Sequence, residues 1–350
     1  MDPTRPLIGH DRCLDLSRRQ FARTVGAAAL GVAAAPIAGA ASLLRDEQKI
    51  GPTPKDPSET AVARFYAALS DEQKKLICFP FDDRKRSMVN NNWQIVKPRI
   101  DDLTSDQQAL CQEIMKGLCS EDGYDRFMRQ MEADYGGFEQ YHVAVFGEPG
   151  TDGPFEWVLS GRHDTLRADG NSVEGLAFGG PIFYGHDATG SGNDDAQHSG
   201  NVWWYQGEQA NRIFKSFDEK QRAQSLVDMR EPDAPRTIRL KGELDDSLPG
   251  LAVSSLDSQQ KEMVKKLLED MLMPFRKVDA DEVRECLAGA GGVDKMRLTY
   301  FKDGDIGSDG VWDIWKLEGP AFNWYFHGSP HVHTWLHVAR RASDQRPAEG

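Results

Sequence analysis

Four short segments of this chain begin alike, and that recurrence constrains the fold more than any other feature. Leu69-Ser70-Asp71-Glu72-Gln73, Leu103-Thr104-Ser105-Asp106-Gln107, Phe217-Asp218-Glu219-Lys220-Gln221 and Leu256-Asp257-Ser258-Gln259-Gln260 each set an apolar residue before Ser, Thr or Asp, with Gln three residues beyond that cap. The capping oxygen can accept from the amide three residues on while the Gln side chain reaches back, so each segment reads as a helix N-terminus closed by a capping box. The four come in two pairs. Each pair is followed by a further helical pattern, at 124–134 and 280–287, and then by strands.

The strands echo one another too. Gly153-Pro154-Phe155-Glu156-Trp157-Val158-Leu159-Ser160-Gly161-Arg162-His163 matches the run from Gly319 to His331, with one residue inserted before Phe322 and another after Gly328. Gly/Trp-rich hairpins are common enough to agree by coincidence. Because the capped pairs and the strands recur in one order, the sequence predicts an α+β fold of two similar repeats, each a capped helical pair plus antiparallel strands, in one two-lobed globular unit. The first half, with a long loop, spans 58–205; the second spans 206–342; a polar tail covers 343–350. The strands at 155–159 and 322–326 should then superpose, and His163 should hold the place of His331 and His333.

Four of the nine histidines fall between Gly319 and His337. Ser329-Pro330 breaks the local geometry, and from His331 the apolar period is two, which predicts a strand. On it His331, His333, Trp335 and His337 share one face, while Val332, Leu336 and Val338 share the other with Thr334. An amphipathic strand with a His-rich polar face is the plain reading. The sharper one is that imidazoles two residues apart can each give a nitrogen to one ion, and His163 supplies a third.

At 350 residues and 39% hydrophobic content the chain can bury a sizeable core in one large domain or two lobes. The 42 Lys and Arg against 55 Asp and Glu leave a net charge of −13, which a nucleic-acid backbone would repel and which suits cations or neutral small molecules. Ser17-Arg18-Arg19-Gln20-Phe21 leads into a weakly apolar Ala/Gly-rich run and then Ala38-Gly39-Ala40, so residues 1–40 read as a twin-arginine (Tat) signal peptide. Residues 41–57, charged and Pro-containing, read as a linker. The mature protein is expected in the periplasm or outside the cell, with the Tat export machinery as partner. It has no stretch of the roughly twenty apolar residues a membrane span needs.

Outside the signal, Cys78, Cys111, Cys119 and Cys286 are too few and too spread for a disulfide scaffold, so buried free thiols are expected, with one bridge from Cys78 or Cys286 left open. The Gly-, Asp- and Ser-rich run 185–200 reads as a long loop, either functional or a polar lid. Trp203-Trp204-Tyr205 reads as a core cluster, or as a wall for a flat ligand.

Several motifs together, namely Phe79-Pro80-Phe81-Asp82-Asp83, Val145-Phe146-Gly147-Glu148-Pro149-Gly150, the Gly161-x-His163 segment, the capped helix starts and Pro330-His331-Val332-His333-Thr334, resemble a family of bacterial secreted proteins catalogued as domain of unknown function 3500. The resemblance covers most of the chain beyond the signal and implies membership without an activity. In many members two adjacent histidines follow the glycine and a Trp-Arg-Asp-Pro run follows His-x-His-Thr. Here Arg162 precedes His163 and Trp335-Leu336-His337 follows Thr334, so chemistry that needs those groups does not carry over.

The chain has no Gly-x-Ser-x-Gly elbow, phosphate loop, His-Glu-x-x-His or dinucleotide fingerprint. Ser329, a nucleophile on paper, reads as a turn residue before Pro330. The residues favour a metal site of His163, His331 and His333, holding a divalent or copper ion with an open position for water or a small-molecule substrate. Glu156, Asp164 and Glu148 are the candidate carboxylates to accept a proton; His327 and His337 are spare ligands. A non-catalytic metal- or ligand-binding protein fits the same histidines, and a scaffold without metal needs none of them.

Overall fold

All four capping boxes close as their spacing requires: Ser70 with Gln73, Thr104 with Gln107, Asp218 with Gln221 and Asp257 with Gln260. The computed structural model describes residues 57–170, 172–187, 201–244, 248–305, 312–328 and 331–345. The export signal, nearly all of the linker, residues 188–200, Ser329 and Pro330 thus lie outside the described residues. Among the described residues no helix is long and apolar enough to cross a membrane.

The capping glutamines do more than close helix ends. The Gln73 and Gln107 side-chain amides bond each other reciprocally at 2.8 and 2.9 Å, and Gln107 also donates to the Ala68 carbonyl at 2.8 Å. Gln221 and Gln260 repeat this at 3.1 and 3.0 Å, with Gln260 donating to the Ser216 carbonyl at 3.0 Å. Each pair of helices is therefore tied end to end by one amide dimer, and its polar atoms are satisfied where the caps meet.

The chain forms a mixed α and β protein. Its first part runs α1 (Pro57–Ala68), α2 (Asp71–Ile77), β1 (Cys78–Phe79), α3 (Ser105–Leu118), α4 (Glu121–Tyr135), β2 (His142–Gly147), β3 (Phe155–Gly161), β4 (Asp164–Ala168) and β5 (Ile182–His186). The second runs α5 (Trp204–Ser216), α6 (Glu219–Ser225), β6 (Leu226–Val227), β7 (Leu251–Ala252), α7 (Ser258–Leu272), α8 (Lys277–Gly289), β8 (Arg297–Phe301), β9 (Ile314–Gly319), β10 (Phe322–His327) and β11 (Val332–Val338). All eleven strands join one open sheet ordered β1-β2-β3-β4-β5-β11-β10-β9-β8-β6, with β7 paired to β8 off this path. The pairs β1/β2 and β6/β8 are parallel and the rest antiparallel. At the centre β5 meets β11, with His333 opposite Gly185 and Val332 opposite His186.

One expected correspondence fails. The segment 155–159 lies in β3, third from its edge of the sheet, whereas 322–326 lies in β10, fourth from the other. By position and turn, β3 answers to β9: Gly161 pairs with Asp164 across Arg162 and His163, and Gly319 pairs with Phe322 across Pro320 and Ala321. His163 thus has Ala321 in its counterpart place, not His331 or His333. The Gly-Pro-Phe match had aligned neighbouring strands. Gly185 and His186, read as loop, end β5.

One face of the sheet carries the large apolar side chains, including Trp157, Tyr184, Trp315, Trp324 and Leu336, which pack with helix residues such as Phe127, Ile114, Leu267 and Val283 into the main core. Trp203 and Trp204 belong to it, which settles them as core. The opposite face is buried but more polar. There Glu156, Arg167, Lys316, Glu318 and His333 lie among a smaller apolar cluster of Val89, Phe183, Ile238, Tyr325 and Trp335. The four cysteines Cys78, Cys111, Cys119 and Cys286 are free thiols.

Candidate metal centre

Three imidazoles meet where β5 and β11 join. His163 Nε2 lies 2.8 Å from His331 Nε2, which lies 3.0 Å from His333 Nε2. His163 and His333 are buried; the His331 side chain is 34% exposed, so the cluster opens on its side. The alternation expected of β11 holds from Val332 on, and His331 stands just before the strand. His337 is not a surface residue: it is buried, with Nδ1 3.2 Å from the Ile238 carbonyl oxygen.

His163 reaches this point through an uncommon backbone. It sits in the two-residue β3–β4 turn at φ 62°, the left-handed region, which costs an ordinary L-residue about 1–2 kcal/mol. The turn is held in that shape: the His163 amide donates to the Asn91 carbonyl at 2.7 Å, and the Tyr141 hydroxyl donates to the Arg162 carbonyl at 2.7 Å. Two glycines make room. A Cβ on Gly161 would come within 2.3 Å of the Tyr141 ring, and one on Gly185 within 2.2 Å of the Val332 carbonyl oxygen and 3.3 Å of the His163 ring.

Two of the imidazoles are oriented by a carboxylate on the far side, and the third has one nearby. His163 Nδ1 donates to Asp134 Oδ2 at 2.7 Å, from the last turn of α4. His333 Nδ1 donates to Asp233, whose other oxygen accepts from the Trp335 indole. His331 Nδ1 lies 3.7 Å from Asp187 Oδ2. These partners fix Nε2 of His163 and His333 as lone pairs aimed at His331. A single N–H on His331 Nε2 can serve only one of them, so the other contact sets lone pair against lone pair. A cation between the three removes the conflict, and carboxylate-backed imidazoles are how proteins hold metal-ligating histidines. Nitrogens about 2 Å from one tetrahedral ion lie about 3.3 Å apart, a few tenths of an ångström beyond the present spacing.

The electrostatics agree with neutral rings between ionised acids. Burial lowers the pKa of His163 and His333, only partly offset by Asp134 and Asp233. His331 falls to about 4, through burial and then the charge of His333. Burial alone would raise the Asp134 and Asp233 carboxyls, but hydrogen bonds from His163 and His186 in one case, and His327 and His333 in the other, hold both well below the usual range. The carboxylate and imidazole directions are compatible in one state, with each acid charged and each Nδ1–H donating.

Of the expected carboxylates, none joins the three histidines. Glu156 is fully buried and spans two arginines, Arg86 at 2.9 Å and Arg167 at 2.5 Å, and so is committed to ion pairs on the polar face of the sheet. Asp164 is fully buried on the helix side, accepts from Gln130 at 2.7 Å, and has its pKa raised by burial. Glu148 is exposed. The acids that do surround the site, Asp134, Asp187 and Asp233, come from a helix end, the residue after β5 and a connecting segment. Asp134 closes the 124–134 helical pattern and Asp187 lies in the 185–200 run, but nothing in either stretch marks the acid as a partner of the histidines.

Asp233, His327 and His333 form a second cluster close enough to hold an ion. Arg230 Nη1, 3.3 Å from His327 Nε2, puts a fixed positive charge against it, and Asp233 is already engaged by His333 and Trp335. We read this group as the support behind His333. Cavities of about 490 and 380 Å³ meet at Ser120, lined by residues such as Glu269, Met273 and Arg284, and Lys116 and Tyr124. Neither is lined by any of the three histidines.

Fold and site define a mixed α and β protein with a buried three-histidine cluster able to hold a metal ion. The family model described as "Protein of unknown function (DUF3500)" matches residues 53–336, and the chain belongs to that family. No curated protein and no solved structure matches it.

Proposed function

We propose that His163, His331 and His333 hold one divalent or copper ion and that the protein is an exported metal-dependent enzyme acting on a small molecule. The observation that carries this reading is the convergence of three Nε2 lone-pair positions backed by Asp134, Asp187 and Asp233. A bound ion would supply Lewis acidity, polarising a water or a substrate oxygen on the open side by His331. Asp187 replaces Glu156 and Asp164 as the proton acceptor of choice. It is 3% exposed, its Oδ2 faces His331, and its Oδ1 has no hydrogen-bond partner among the described residues.

The twin-arginine segment, outside the described residues, supports export to the periplasm or beyond. The matching glutamine dimers and the matching order of β2 to β5 and β8 to β11 support two repeats, in the β3/β9 alignment. A metal-binding role without catalysis is the second reading, favoured by the two cavities at Ser120 lying apart from the three histidines. Elemental analysis of protein isolated after natural export tests the metal: about one equivalent is expected, and a double variant His331→Ala with His333→Ala should lose it. Equal metal in both, or none in either, overturns the reading.

A further inference from the structure

We infer that the site takes a small molecule bearing an anionic oxygen group, which Arg162 anchors beside the ion; the inference rests on the metal reading above. Arg162 immediately precedes His163 in the rigid β3–β4 turn, and its Nη2 donates to Asp187 Oδ2 at 2.9 Å, the same oxygen that faces His331.

A guanidinium there works against a cation site, because it repels the ion that the imidazoles are arranged to hold. In a chain of net charge −13 a positive group at this place needs a reason. Pairing with Asp187 is the plain one, and the geometry argues against it as the whole account. A structural Arg–carboxylate pair is commonly two-armed. This one has a single arm: Arg162 Nε and Asp187 Oδ1 are both buried and both without a partner among the described residues. The Arg162 side chain is 30% exposed, and His331 beside it is the most exposed of the three ligands. A guanidinium held by one arm, with its side chain partly exposed beside a cation site, is the arrangement that recognises a carboxylate or phosphate oxygen.

The test uses the full mature chain loaded with Co²⁺, whose visible spectrum reports its ligands, titrated separately with acetate and inorganic phosphate. Wild type should bind about one Co²⁺ and show a saturable spectral change with at least one anion. Whichever anion binds tighter names the oxygen group. Arg162→Gln should keep the Co²⁺ and weaken the anion at least about tenfold. Arg162→Lys, which keeps charge but loses the fork, should fall between and controls for a folding defect. Co²⁺ bound with no anion response, or with equal response in the Gln variant, overturns this inference and leaves the metal reading standing. Failure of wild type to bind Co²⁺ overturns both.

Discussion

The two hairpin turns of the sheet, Arg162–His163 between β3 and β4 and Pro320–Ala321 between β9 and β10, share a register and differ in nearly everything else. Both join strands through two residues between a paired Gly161/Asp164 and Gly319/Phe322. The first carries a guanidinium and an imidazole and holds His163 at φ 62°; the second carries neither group, and Ala321 is not among the residues at positive φ. Strain of this kind persists where surroundings over-determine it, and here they are Asn91, Tyr141 and two close-packed glycines. Two turns of the same length and register thus differ in content: one holds a residue of the candidate metal centre, the other simply reverses the chain.

The strongest way to break this comparison is to empty both turns. His163→Ala should lower metal affinity by at least about a hundredfold, the scale for losing a ligand with its carboxylate support, while Ala321→Gly should leave it unchanged. Isothermal titration with Zn²⁺ reads both, and equal effects would erase the distinction between the turns.

A second measurement separates scaffold from site through pH. Glu282 of α8 is raised to about 8 by burial first and then by Asp169 and Asp279. Its folded value exceeds the ordinary 4.5, so the fold keeps a proton that the unfolded chain releases. Stability from the protonated acid is fully present below about 4.5 and is lost as pH rises through 8. Glu282→Gln should therefore match wild type near pH 4.5 and exceed it by on the order of 4 kcal/mol near pH 8 in urea unfolding. A gain that shrinks with rising pH would contradict the assignment. Neither turn contributes to this effect.

The smallest expected effect is the sharpest. At residue 163, Gly should be more stable than Ala by about 1 kcal/mol, because both lack the imidazole and only Gly fits φ 62° without strain. At residue 321 the order should reverse, Ala exceeding Gly by about 0.5 kcal/mol. Thermal melts of the four metal-free proteins decide it, and the same sign at both turns would remove the strain argument.

What the sequence revealed follows the range of the forces involved. Capping boxes are decided within four residues, and all four were legible. The shared face of His333, Trp335 and His337 was legible because a strand alternates regardless of its neighbours. His163 was brought to the site by an argument whose alignment was one strand out; it meets His331 because β5 and β11 are adjacent, not because the two places are equivalent. Asp134, Asp187 and Asp233 reach their imidazoles across tertiary contacts with no spacing to betray them. Glu156 was misjudged as a free carboxylate since nothing near it in the chain announces Arg86 or Arg167.

The β5–β11 seam also sets the order in which this protein can be finished. Chains emerge N-terminus first, and β5, which ends at His186, is complete long before its partner β11, which ends at Val338. Until then β5 offers a bare row of amides and carbonyls next to apolar side chains, the kind of edge that recruits other strands. Synthesis of β11 therefore does three things together: it covers that edge, joins the two sets of strands into one sheet, and delivers His331 and His333 to His163. A chain made only as far as β10 lacks His331 and His333 and cannot hold the assembled site.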